Sequence, residues 1–200
     1  DSSKMIQDKS GGLTPDVTDA ENYVSITAIA PSTLNSNTIW VGTDDGNVQL
    51  TKDGGKKWQN HSNQMPGLPK GAWIAQIIPG SDSEGEAFIV ANDYRRNNWK
   101  PFVFYTSNHG KNWQNLIKEN NVDGYCLSIA QDPKVPELLF LGTDRGLYVS
   151  FNKGKAWRKW TNNYPSVPTR DLKIHPRDHD LIIGTFGRSA WIMDDIRFLR

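Results

Sequence analysis

The side chains of this chain that could meet a ligand fall at three recurrent places and in one insertion. Asp44 and Asp45 follow the dipeptide Gly42-Thr43, Asp144 and Arg145 follow Gly142-Thr143, and a run ending in Arg188 follows Gly184-Thr185. Between the first two lies the segment DYRRNNWK, residues 93–100, which brings Asp93, Tyr94, Arg95, Arg96 and Trp99 close together. A guanidinium offers a planar two-pronged donor to a carboxylate. An indole offers an apolar plate to a sugar ring, so the mixture suits a glycan or an acidic peptide. The acids alone would also suit glycoside hydrolysis, which needs two carboxyl groups roughly 5 Å or 6.5–9.5 Å apart across one bond. The sequence selects no such pair. The same Gly-Thr-Asp pattern equally suits a tight turn in which Asp44 and Asp144 cap their own loops.

A second set of polar residues reads as architecture. The strings TKDGGKKW, TSNHGKNW and SFNKGKAW share one form: a hydroxyl residue, then Asp or Asn, then Gly, then Trp. The positions are Thr51, Asp53, Gly55 and Trp58; Thr106, Asn108, Gly110 and Trp113; Ser150, Asn152, Gly154 and Trp157. Two of the three carry Asn where the first carries Asp, so the position needs an accepting oxygen and not a charge. The oxygen is expected to accept from amides two residues on, and the glycine to supply a positive φ. The indole is expected to be buried as a plug between neighbouring units. His175 and His179 flank Pro176, which denies them a shared helical face, and His61 and His109 are isolated. No metal site and no cofactor are expected. The single cysteine, Cys126, excludes an internal disulfide.

These residues must be positioned by a repeat. Four short apolar strands end in a proline turn, at Pro31, Pro79, Pro133 and Pro176, spaced by 48, 54 and 43 residues. Each is followed by a second apolar strand, a tight turn, a third strand and, in three copies, the Trp-ending turn. A period near 45 with about four short strands per unit is the pattern of propeller blades. The chain therefore reads as all-β, a β-propeller segment of four four-stranded blades at about 23–61, 71–116, 124–160 and 169–200. Residues 1–22 read as a polar arm or linker. Alternating strand directions place the Asp/Asn-containing turns on one face and the Gly-Thr-Asp loops with the 93–100 insertion on the other.

Composition narrows the partners. Lys and Arg number 23 against 22 Asp and Glu, a formal net charge of +1, which argues against a nucleic-acid partner. Apolar runs are too short for a membrane span, and no signal-peptide pattern opens the sequence.

The three Trp-ending turns resemble the Asp-box, or bacterial neuraminidase repeat, of sialidases, xyloglucan-cleaving enzymes and sortilin-type receptors. The strings IWVGTDDGNVQLTKDGGKKW and LIIGTFGRSAWIMDDI further resemble the last blades of a propeller in large secreted bacterial proteins described as sortilin-like or as glycosyl hydrolases. The resemblance implies a fragment of a longer secreted, periplasmic or cell-surface protein. Its partners would be the remaining blades of the parent or another copy. Departures are visible: the fourth copy has Met193 at the hydroxyl position and lacks the Gly–Trp ending, and Phe186 and Ser189 replace a His and a Gly of the relatives. The leading expectation is a non-catalytic extracellular scaffold or recognition module that binds glycan or peptide. The alternatives are part of a glycoside hydrolase whose cleft needs further blades, and a sortilin-like peptide receptor. An open arc of blades with apolar end faces is expected, ending in a complete fourth strand at residues 196–200.

Overall fold

The computed structural model describes residues 24–117 and 121–200; the expected arm lies outside them. Among the described residues, short β-branched and aromatic runs punctuated by Gly and Pro form fifteen strands in four antiparallel sheets. The first sheet is β1 (Ile26–Pro31), β2 (Ile39–Thr43), β3 (Val48–Thr51) and β4 (Gln59–Asn60). The second is β5 (Trp73–Pro79), β6 (Ala87–Asp93), β7 (Asn98–Thr106) and β8 (Gln114–Asn115). The third is β9 (Cys126–Gln131), β10 (Leu139–Thr143), β11 (Gly146–Ser150) and β12 (Arg158–Trp160). The fourth has three strands, β13 (Thr169–Ile174), β14 (Leu181–Thr185) and β15 (Ala190–Met193).

Each sheet is an up-and-down meander with its strands in chain order, and the sheets pack face to face as four consecutive blades. Their first strands adjoin in turn: β1 packs on β5, β5 on β9, and β9 on β13. This is an all-β partial propeller. The expected complete fourth strand of the last blade is not a strand. Ile196–Leu199 forms a 3-10 turn, opened by Asp195 in the left-handed region. Its Ile196 is fully buried against blades three and four, and Arg200 reaches back to Asp132 of blade three at 3.0 Å. That apolar anchor and ion pair turn the chain away from the β15 edge.

Three apolar seams hold the blades together, and their register is regular. Ile77 and Ile89 of blade two face blade one, where Trp40 and Leu50 meet them. Ile129, Leu139, Leu141 and Tyr148 of blade three face blade two, where Phe88 and Val103 meet them. Leu172, Leu181 and Ile183 of blade four face Phe140 and Val149. Both faces of the two middle blades are thus covered, which accounts for the wholly buried strands β6, β10 and β11. On blade one the matching positions are Ile29, paired with Val41, and Ile39. Ile29 is 67% exposed. On blade four the opposite face carries Ile182 and Ile192, paired with each other and exposed.

Candidate ligand-binding face

The Trp-ending turns are built by one set of hydrogen bonds. Thr51 Oγ1 accepts from the Gly55 amide at 2.9 Å, Thr106 Oγ1 from Gly110 at 3.0 Å, and Ser150 Oγ from Gly154 at 2.8 Å. The Asp53, Asn108 and Asn152 Oδ1 atoms accept from the amides of Lys57, Asn112 and Ala156. Those donors lie four residues on, not two as expected, because the turn contains two consecutive left-handed residues and closes a longer loop. The second of these is the glycine, with φ of 95°, 76° and 79° in the three turns. Asp53 is held below the ordinary carboxyl range chiefly by the Lys57 amide and then by Thr51. Asn makes the same two bonds in the other turns. These residues are committed to the turn.

The three indoles do not share one environment. Trp157 is buried, 7% exposed, and donates to the Leu116 carbonyl of the preceding blade at 3.3 Å. Trp113 is half-buried in the seam and meets Trp40 of blade one edge-on, centroids 5.8 Å apart. Trp58 is 44% exposed and donates only to Gly55 of its own turn. The expectation that all three are buried is corrected at Trp58. Trp113 and Trp157 each meet the preceding blade, and no described blade precedes the first.

On the opposite end of the blades the 93–100 insertion is not an irregular loop. Tyr94–Arg96 makes one 3-10 turn, Asn97 takes the left-handed conformation, and β7 begins at Asn98 paired with Asp93. Asp93, one of the side chains expected to meet a ligand, is buried at 7% exposure. Its carboxylate takes Arg96 Nε at 2.6 Å and Asn98 Nδ2 at 3.1 Å, so it closes the insertion on itself. Arg96 also donates to the Lys70 carbonyl, at 2.8 Å, tying the insertion to the loop before β5.

What remains of the insertion joins residues that were not anticipated. Tyr94 stacks on Tyr125 with ring centroids 4.6 Å apart, and Trp99 lies 5.7 Å from the same Tyr125. Arg95 lies over the ring of Trp73 at 3.6 Å. Trp99 is 53% exposed, with its indole N–H held by Asn97. Tyr94, Arg95, Thr27, Leu127 and Arg170 line a cleft of about 260 Å³ in front of the first strands of all four blades. Trp73, Tyr125 and Arg170 were missed because they sit at the entrances of the first strands, read as core. Aligning the four strands on their prolines does not bring these positions together, because Thr27 and Ala75 precede their prolines by four residues and Leu127 and Arg170 by six.

The other expected site residues are dispersed. Asp44 accepts from the Ser25 amide at 2.8 Å, and burial, the largest influence, raises its pKa. Asp45 is buried and bonded to Thr43 and Asn47 within its own loop. Asp144 is likewise pushed up, first by burial, and lies against Gly124, while Arg145 pairs with Asp123 at 3.2 Å. Arg188 is exposed after β14, where its carbonyl accepts from Trp191. A larger cleft of about 960 Å³ runs along the outside of β7 past Trp99 and Lys100 to Asp123. Among the described residues no cluster of His, Cys, Asp and Glu could hold a metal ion, and no helix is long and apolar enough to cross a membrane.

No protein-family model matches the chain, and no curated protein matches its sequence. Solved structures do match in fold. A GH74 enzyme from Niastella koreensis superposes with a TM-score of 0.65 at 15% identity, over 92% of this chain and 31% of that one. The GH74 xyloglucanase from Xanthomonas campestris gives 0.62 at 20% identity, over 81% and 26%. YCF48 bound to D1 peptide gives 0.60 at 16%, over 86% and 51%. The chain has the β-propeller fold. It spans about a quarter to a half of those three structures.

Proposed function

We propose that this chain is a non-catalytic recognition module, a set of Asp-box blades from a larger exported protein, that binds glycan or peptide through the Tyr94–Trp99 face. The observation that carries this reading is the exposed Trp99 standing against the Tyr94–Tyr125 stack beside Arg95 and Arg170, presented on rigid blades. The commitment of Asp45 and Asp93 to their own loops supports binding over catalysis. Export and the Asp-box assignment rest on the sequence resemblance. The remaining blades of a parent protein, or a second copy, are the proposed partners of the two exposed end faces.

The test is a screen of immobilised chain against oligosaccharides and peptides, repeated with Trp99→Ala and Tyr94→Ala. A ligand whose affinity falls about tenfold or more in both variants, with the melting temperature of Trp99→Ala unchanged, supports the face. Ligands indifferent to both variants remove it.

A second reading, a glycoside hydrolase, draws on Asp44 and Asp144, two acids of this face whose carboxyls burial pushes above their ordinary range. Release of reducing ends, abolished by Asp44→Asn or Asp144→Asn, would favour it.

A further inference from the structure

The first strand of every blade carries a β-bulge at the same repeat position. Pairing skips Thr27 between Ile26 and Ala28 in β1, Ala75 between Ile74 and Gln76 in β5, Leu127 between Cys126 and Ser128 in β9, and Arg170 between Thr169 and Asp171 in β13. A bulged residue leaves the ladder and its side chain is re-aimed. All four of these residues line the one cleft of about 260 Å³. The repeat thus delivers one side chain per blade to a common point, and on the fourth blade that side chain is a guanidinium.

A second guanidinium meets it there. Arg95 enters from the insertion and also lines the cleft. Arg170 bears on it electrostatically as a like charge, and burial lowers the pKa of Arg95 first of all. Each arginine is held by an aromatic ring: Arg95 over Trp73 at 3.6 Å and Arg170 over Phe186 at 5.5 Å. Among the described residues no carboxylate lies within ion-pair distance of either. Asp44, the acid whose charge bears on Arg95, is tied to the Ser25 amide. Ring stacking orients a guanidinium and leaves its edge N–H donors free. Asn92, 3% exposed, also lines the cleft; its NH2 donates to the Cys126 carbonyl, and its oxygen has no hydrogen-bond partner. Two cations that line one cleft with no carboxylate at ion-pair distance, beside an unused acceptor, form a site suited to an anion.

The aromatic faces at this point are already used. Arg95 covers Trp73, and Tyr94 and Tyr125 cover each other. The cleft therefore offers no bare plate for a neutral sugar, and its volume admits about one residue-sized unit. Resting on the recognition reading above, we propose that Arg95 and Arg170 together clamp the carboxylate of one acidic unit of the ligand, with the Asn92 oxygen accepting from a hydroxyl or N–H of that same unit.

Calorimetric titration of the full chain with galacturonate and with N-acetylglutamate, each beside its neutral counterpart galactose or N-acetylglutamine, tests this. At least one acid is expected to bind about tenfold or more tightly than its counterpart; which acid does so identifies a sugar or a peptide source. Arg170→Gln and Arg95→Gln should each remove that preference. Lys155→Gln, the same loss of charge at a distant exposed turn, should leave it intact. Arg170 is exposed, so its variant is expected to fold even if loss of the Trp73 contact harms Arg95→Gln. The clamp is overturned if neither acid binds at millimolar concentration, if acid and counterpart bind alike, or if Arg170→Gln binds the acid as the unaltered chain does. A screen ligand lost in Trp99→Ala but retained in Arg170→Gln would remove the clamp and leave the recognition reading standing.

Discussion

The turn after the third strand of blade one and its counterpart in blade three carry the same hydrogen bonds and differ in what lies behind them. In blade three the Gly154 position faces Leu116 of blade two so closely that an added Cβ would sit 2.7 Å from a side-chain carbon. Trp157 then crosses to the same residue's carbonyl. In blade one the corresponding Cβ at Gly55 would meet nothing nearer than its own Trp58 at 3.9 Å, and that indole bonds only within its turn. The local motif is therefore self-sufficient as a turn. Its contribution to the stability of the body comes from the neighbouring blade.

The largest test of this comparison is the tryptophan series. Trp157→Ala should cost about 3–5 kcal/mol, as expected for a buried aromatic, and Trp113→Ala about 2–3 kcal/mol. Trp58→Ala should cost under about 1 kcal/mol, because a side chain that exposed loses little burial. Denaturant titration of the three variants reads the order directly. A loss at Trp58 equal to that at Trp157 would mean that its face is covered in solution and would break the comparison.

The glycines sharpen it. Gly55→Ala carries only the left-handed strain of its φ, about 1 kcal/mol, whereas Gly154→Ala adds the collision with Leu116 and should lose about 3 kcal/mol. Equal losses would show that the turn's own strain, and not the neighbouring blade, sets the cost.

A smaller effect separates charge from acceptance. Asp53 is depressed below the ordinary 3.8 by the Lys57 amide, so its contribution is present above that pH and is lost as the pH falls through its lower folded value. Asp53→Asn should leave the melting temperature at pH 7 nearly unchanged and flatten its acid-side decline. Asp53→Ala should lower it at pH 7, through the unsatisfied Lys57 amide. An equal fall at pH 7 for both variants would restore a role for the charge. The smallest expected effect is at Cys126, where burial pushes the thiol pKa far up. A thiol reagent at pH 8 should label it only at the rate of unfolding, and rapid labelling would show that the seam between blades two and three opens.

Much of the fold was legible because its signals are local. The prolines ending β1 and β5, the Gly-Thr pairs at the ends of β2 and β10, and the hydroxyl–Asx–Gly–Trp turns each follow from steric or hydrogen-bonding preferences within a few residues. The last blade was misread where those local signals end: residues 196–200 look like a short strand, but Ile196 finds a pocket between blades and draws the segment into a turn. The candidate face was legible only in part. Tyr94, Arg95 and Trp99 stand out as an insertion, while Trp73, Tyr125 and Arg170 occupy strand ends where an aromatic or a long cation looks like packing or surface.

Repeat period, strand order and turn chemistry were determined by the sequence alone, because each depends on near neighbours along the chain. Tertiary structure decided which of the three similar turns has its indole buried, that Asp93 is buried and paired, and that four bulged residues from four blades meet in one cleft. Those outcomes depend on which surface lies across a seam from residues some fifty positions away, and on a one-residue slip in strand pairing. Neither changes the residue pattern along the strand that undergoes it.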